Sequence, residues 1–177
     1  KSRPGAVNFG SPGSGSPAHI GIELFSDMAG LEMTHVAYKG SAPILTDLLA
    51  GRVSMVFDPI LVPMQYVKQD KLKVLAFTGK KRWPNEPDVP TMEEAGFPGF
   101  VTGSWAGLLA PTGTPKPVIE RMAKEISEIV HEPDVTKKFM DAGFLPTGST
   151  PAEFAELMRK DSERYAKIIK EANITVN

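Results

Sequence analysis

A short apolar stretch, Val7-Asn8-Phe9, runs straight into Gly10-Ser11-Pro12-Gly13-Ser14-Gly15-Ser16 and from there into a helical pattern, and this order constrains the fold more than any other feature of the chain. Ser16 stands where a helix N-cap is needed and Pro17 at the first helical position, while Ile20, Leu24, Phe25 and Met28 recur at helical spacing until Gly30 ends the run. The alternation then repeats. Residues 33–38 read as a second strand, 42–50 as a helix closed by Gly51, 53–57 as a third strand reaching Asp58, 61–69 as a helix and 72–77 as a fourth strand. Strands that alternate with helices pair in parallel through right-handed crossovers, which gathers the loops at the strand C-termini on one edge of the sheet. The expectation is an α/β fold.

Beyond Thr78 the character changes. Residues 78–99 are rich in Pro, Gly and charge, with one short helix expected near Thr91 to Ala95, and 102–110 are extended and apolar. Val118, Ile119, Met122, Ala123, Ile126, Ile129 and Val130 form one helical stripe, a brief helix follows from Val135 to Ala142, and Thr150-Pro151-Ala152-Glu153 is a capping box that opens a long last helix. Such stripes cover a sheet, yet this half of the chain offers almost no strands for them. Either the helices pack on the first part, or their partner strands belong to other sequence.

Composition narrows the chemistry. With 20 Lys and Arg against 21 Asp and Glu, and basic runs no longer than Lys80-Lys81-Arg82, there is no cationic face for nucleic acid. The absence of cysteine excludes disulfides, thiolate nucleophiles and iron-sulfur clusters, and His19, His35 and His131 are too scattered for a local zinc motif, so no metal or cofactor is expected. No apolar run is long enough to cross a bilayer. The opening Lys1-Ser2-Arg3-Pro4-Gly5 lacks a signal peptide and resembles the middle of a protein.

The loop from Ser11 to Ser16 is the place where chemistry is expected. A glycine-rich turn between strand and helix exposes backbone N–H groups at the positive end of the helix dipole, an anion site that needs no cation. Gly13, Ser14, Gly15 and Ser16 all carry an N–H, and the serine hydroxyls add donors; the alternative is a tight turn that needs glycine only for its backbone shape. Tyr38, Lys39 and Gly40 after the second strand and Asp58 after the third are expected on the same edge, with His19 one turn into the first helix as a further donor. Gly13-x-Gly15-x-x-Ala18 also matches a dinucleotide fingerprint, but the second strand ends Tyr38-Lys39-Gly40 where such folds place a ribose-binding acid. Lys39 suits a 2′-phosphate, so an NADP-dependent oxidoreductase domain stands as the alternative reading. Neither a Walker pattern nor a GxSxG elbow occurs.

Several segments, taken in order, resemble one family. They are Asn8-Phe9-Gly10-Ser11-Pro12-Gly13-Ser14-Gly15-Ser16-Pro17-Ala18-His19, Val36-Ala37-Tyr38-Lys39-Gly40, Phe57-Asp58, Asp88-Val89-Pro90-Thr91, Glu94-Ala95-Gly96, Ser104-Trp105-Ala106-Gly107-Leu108-Leu109-Ala110-Pro111 and Gly113-Thr114-Pro115. Together they are similar to the tripartite tricarboxylate transporter receptors, the Bug family of periplasmic solute-binding proteins. The resemblance implies a periplasmic-binding-protein-like fold of type II, a two-lobed Venus flytrap whose parallel-rich sheet is flanked by helices. It implies a receptor without catalysis that takes a small carboxylate, whether a di- or tricarboxylate, an acidic amino acid or an aromatic acid, and hands it to membrane transporter subunits. In that family the carboxylates are held largely by main-chain amides, hydroxyls and waters from one loop of each lobe, and Ser11 to Ser16 fits the second lobe's share. Residues 1–104 would then be the second lobe and 105–177 the segment returning to the first. Family members carry a signal peptide and most of the first lobe ahead of this point. The full-length receptor is expected as a monomer, and the present chain alone as prone to self-association.

Overall fold

The structure is a computed structural model and describes residues 5–175. By compactness it divides into two units, one from the N-terminus to Ser104 joined by the segment from Ala166 onward, the other spanning Trp105–Tyr165.

The first unit is built on three parallel strands, β1 (Val7–Ser11), β2 (Met33–Ala37) and β3 (Met55–Val56), in the order β2-β1-β3. Helix α1 (Pro17–Ala29) connects β1 to β2, α2 (Ser41–Leu49) connects β2 to β3, and a short α3 (Pro63–Val67) follows. The ends of α1 match the sequence signals: the Ser16 hydroxyl accepts from the His19 N–H at 3.3 Å, and Gly30 closes the helix at φ 58°, with the Leu31 N–H reaching back to the Ser26 carbonyl. Phe9 at the middle of β1 is fully buried, and Ile20, Ile22, Ile44, Leu45 and Val53 close over the strands from the helices and the α2–β3 turn. Phe100 is equally buried and meets Phe57 edge to face, with centroids 6.1 Å apart.

Gly10 makes this packing possible. A Cβ there would lie 2.6 Å from Cγ2 of the fully buried Ile44, a branched side chain with no freedom to retreat. Gly10→Ala is therefore expected to destabilise the unit by about 1 to 3 kcal/mol through overpacking, read from the urea midpoint at unchanged slope.

Three expected elements differ. Residues 72–77 carry no strand among the described residues; Phe77 forms a single parallel bridge to Thr91, its N–H donating to the Pro90 carbonyl at 2.8 Å, and Leu75 is 68% exposed. An apolar run favours a strand, but a strand exists only where a neighbour supplies the ladder, and here the run pairs with none of the three strands. Residues 102–110 form no strand either, although the Thr102 N–H donates to the Thr78 carbonyl at 2.9 Å. The expected helix at Thr91 is a single turn, although its capping pair is present: the Thr91 N–H donates to Glu94 Oε2 at 2.8 Å and the Glu94 N–H to Thr91 Oγ1 at 3.2 Å.

The second unit contains α4 (Lys116–Val130), α5 (Pro133–Asp141) and most of α6 (Pro151–Glu171). The capping box that opens α6 forms as expected, with the Thr150 N–H on Glu153 Oε2 at 2.8 Å and the Glu153 N–H on Thr150 Oγ1 at 3.2 Å. Trp105 packs edge to face on Phe154 and donates its indole N–H to Asp161 at 2.9 Å. Neither α4 nor α5 has a buried residue, and Val118, Met122 and Ile129 along the α4 stripe face solvent.

Candidate functional site

Parallel pairing sets the geometry of the site. Ser11 lies opposite Ala37 and Gly10 opposite Val56, so the chain leaves β1, β2 and β3 on one edge of the sheet. Residues 12–16, 38–40 and 57–58 meet there. Helices α1 and α2 both begin at this edge, which adds two positive dipole ends to it.

The glycine loop is strongly tied to itself. Ser11 is fully buried, and its hydroxyl lies 3.0 Å from the Gly13 carbonyl, 3.3 Å from the Gly13 N–H and 2.7 Å from His35 Nε2. The Ser16 N–H donates to the Gly13 carbonyl at 3.2 Å and the Gly15 N–H to His19 Nδ1 at 3.1 Å. Three of the four amides that the sequence suggested for an anion are thus spent inside the loop. Ser14 is exposed, and neither its N–H nor its hydroxyl is spent inside the loop. Gly13 has φ +149° and Gly15 φ +75°, backbone shapes that favour glycine and aim this turn outward.

His19 also differs from expectation. It is buried, and neither ring nitrogen is turned to the mouth: Nδ1 accepts from Gly15, while Nε2 lies 3.4 Å from Glu23 Oε1. Its ring stacks on His35 at 3.7 Å between centroids, and His35 stacks in turn on Phe9 at 5.0 Å. Burial, aided by the neighbouring His19, pushes the His35 pKa below its ordinary value of 6.5, against a smaller opposing pull from Glu23. His35 is not among the residues expected at this edge; only the β1–β2 register brings it beside Ser11.

The second loop is braced from below. Tyr38 continues the ladder through its N–H to the Ser11 carbonyl, and its hydroxyl donates to Asp47 Oδ2 at 2.8 Å. Asp47 also receives Arg52 through Nε at 2.9 Å, and these donors, Arg52 first, hold the Asp47 carboxyl below the usual carboxylate range. Gly40 takes φ +100° ahead of α2. Lys39 is exposed and makes no ion pair among the described residues. In the third loop, Asp58 accepts from the Ser41 hydroxyl at 2.7 Å through Oδ1, and partial burial raises its pKa against that bond. Ser41 and Asp47 escaped sequence reasoning, although a serine directly after Gly40 at a helix start is a recognisable signal.

An open groove of about 540 Å³ beside α3, lined by Met64, Val67, Leu72 and Val89 among others, includes none of these residues. No cluster of three or more His, Asp or Glu among the described residues is placed to hold a metal, and no helix there is long and apolar enough to cross a membrane.

Comparison with known proteins follows the same lines. A family model described as "Tripartite tricarboxylate transporter family receptor" matches residues 1–174. A Pseudomonas sp. (strain P51) protein, described as the UPF0065 protein in the tcbD-tcbE intergenic region, is 36% identical over 178 residues, which is 100% of this chain and 53% of that protein. Among solved structures, an R. palustris protein with adipate superposes with a TM-score of 0.83 at 34% identity, over 99% of this chain and 59% of the other. The periplasmic binding protein BugD superposes with a TM-score of 0.77 at 28% identity, over 99% and 60%. The chain therefore spans about half the length of most curated relatives it matches.

Proposed function

The chain belongs to the tripartite tricarboxylate transporter receptor family, and from that premise we propose that the full-length protein is an extracytoplasmic receptor that captures a small carboxylate and delivers it to a transporter in the membrane. It binds and releases, with no bond made or broken. Residues 1–104 form the second lobe, and 105–177 return to a first lobe supplied by the sequence that the longer relatives carry.

The observation that carries this reading is the edge where three strand ends and two helix N-termini converge, with Ser14 holding an unspent N–H and hydroxyl. A carboxylate suits that arrangement because one amide, one hydroxyl and a helix dipole satisfy a single charge. The pyrophosphate of a dinucleotide needs several amides at once, and here Gly13, Gly15 and Ser16 have already donated theirs. The solved relative with adipate supports a dicarboxylate class.

Calorimetry of the full-length protein with adipate and other dicarboxylates, and separately with NADP, tests the proposal. Saturable binding of a dicarboxylate is the expected result; binding of NADP alone overturns it. The same titrations test Asp58. Its free Oδ2 is positioned to accept from a ligand hydroxyl or ammonium, so Asp58→Ala is expected to weaken hydroxy- and amino-dicarboxylates several-fold more than simple diacids. Equal losses in both classes would remove that role.

A further inference from the structure

Buried His19 and half-buried His35, stacked on each other, have no counterpart in the proposed binding chemistry, yet apart from the Ser16 bonds to Gly13 and to the His19 N–H, the bonds inside the glycine loop pass through their rings or through Ser11. His19 Nδ1 holds the Gly15 N–H, and His35 Nε2 holds the Ser11 hydroxyl that in turn organises Gly13. We infer that His19 and His35 are positioning residues for this loop: Nδ1 of His19 holds the Gly15 N–H, Nε2 of His35 holds the Ser11 hydroxyl, and the loop loses its carboxylate-binding shape when these ring nitrogens are removed. The inference rests on the carboxylate reading of the site.

The chemistry follows from the acceptor at His19. A neutral imidazole with its proton on Nε2 leaves Nδ1 bare for the Gly15 N–H, and Glu23 at 3.4 Å from Nε2 favours that tautomer. Without that acceptor the Gly15 N–H has no partner inside the loop, and the turn loses the bond that fixes it. The groups around the pair are Phe9 and Ser11 from β1 and Glu23 from α1, and the two rings stack 3.7 Å apart, which holds both imidazoles in place.

The test uses the full-length protein in two arms. In the ligand-free protein at neutral pH, long-range nitrogen–proton NMR is expected to show a coupling between the Gly15 N–H and His19 Nδ1. In the second arm, His19→Phe and His35→Phe, which keep a ring but no ring nitrogen, are expected to bind adipate about tenfold more weakly than the natural protein at the same pH. His19→Asn, whose Oδ1 stands near the lost Nδ1, should restore binding. Unchanged affinity in both phenylalanine variants, no rescue in His19→Asn, or no coupling between Gly15 and His19 would each overturn the inference. If no dicarboxylate binds the natural protein, the carboxylate reading fails, while the ligand-free arm still decides whether His19 shapes the loop.

Discussion

Gly13→Val in the full-length protein is expected to cut dicarboxylate affinity by about a hundredfold or more while the urea midpoint moves little. At φ +149° a β-branched residue is strained by about 1 to 3 kcal/mol, and no neighbour lies within 4 Å of the new Cβ to hold the strained shape in place. The loop is exposed and relaxes. Relaxation turns the Gly13 carbonyl away from the Ser16 N–H and from the Ser11 hydroxyl, and so re-aims the Ser14 N–H that follows. The strain is then shed as lost binding rather than lost stability, since each 1.4 kcal/mol is tenfold in affinity and displacement of Ser14 adds to it. Calorimetry alongside denaturant melts separates the two; unchanged affinity would reduce the loop to a turn.

The second large effect concerns the uncovered helices. Residues 1–177 expressed alone are expected to self-associate and to bind a hydrophobic dye strongly, because α4 and α5 bury no side chain and Leu108 and Leu109 are 73% and 75% exposed. Leaving about eight such side chains in water forfeits on the order of 10 kcal/mol, comparable to the stability of a domain. Restoring the preceding half of the full-length protein should abolish both signals if that half covers these stripes, as the lobe assignment proposes. A monodisperse, dye-silent monomer of residues 1–177 in light scattering would overturn it.

What the sequence made legible was whatever depends on near neighbours. Ser16, Pro17 and Gly30 bound α1 as their chemistry requires, and Thr150 and Glu153 open α6. The failures involve partners distant in the chain. The run from Leu72 to Phe77 has the composition of a strand and no ladder, because composition states a preference and a neighbouring strand must satisfy it. In the site, residues 12–16, 38–40 and 58 converge as the alternation rule requires, since parallel pairing leaves the loops no other edge. The use of each donor was hidden. That Gly15 gives its N–H to His19 depends on a rotamer, and that His35 reaches Ser11 depends on the register of β2 against β1.

The division of labour at Ser11 carries a consequence for how such proteins diversify. Up to Ser11 and Tyr38 the chain is locked into the ladder and the core, and Asp58 holds the Ser41 hydroxyl, whereas exposed Ser14 and Lys39 project beyond and support nothing beneath them. Substitution at those two points changes what the edge presents without disturbing the packing that builds it. Single substitutions there can therefore change the edge and leave the scaffold intact, while a change at Ser11, Gly13 or His35 alters the platform beneath it.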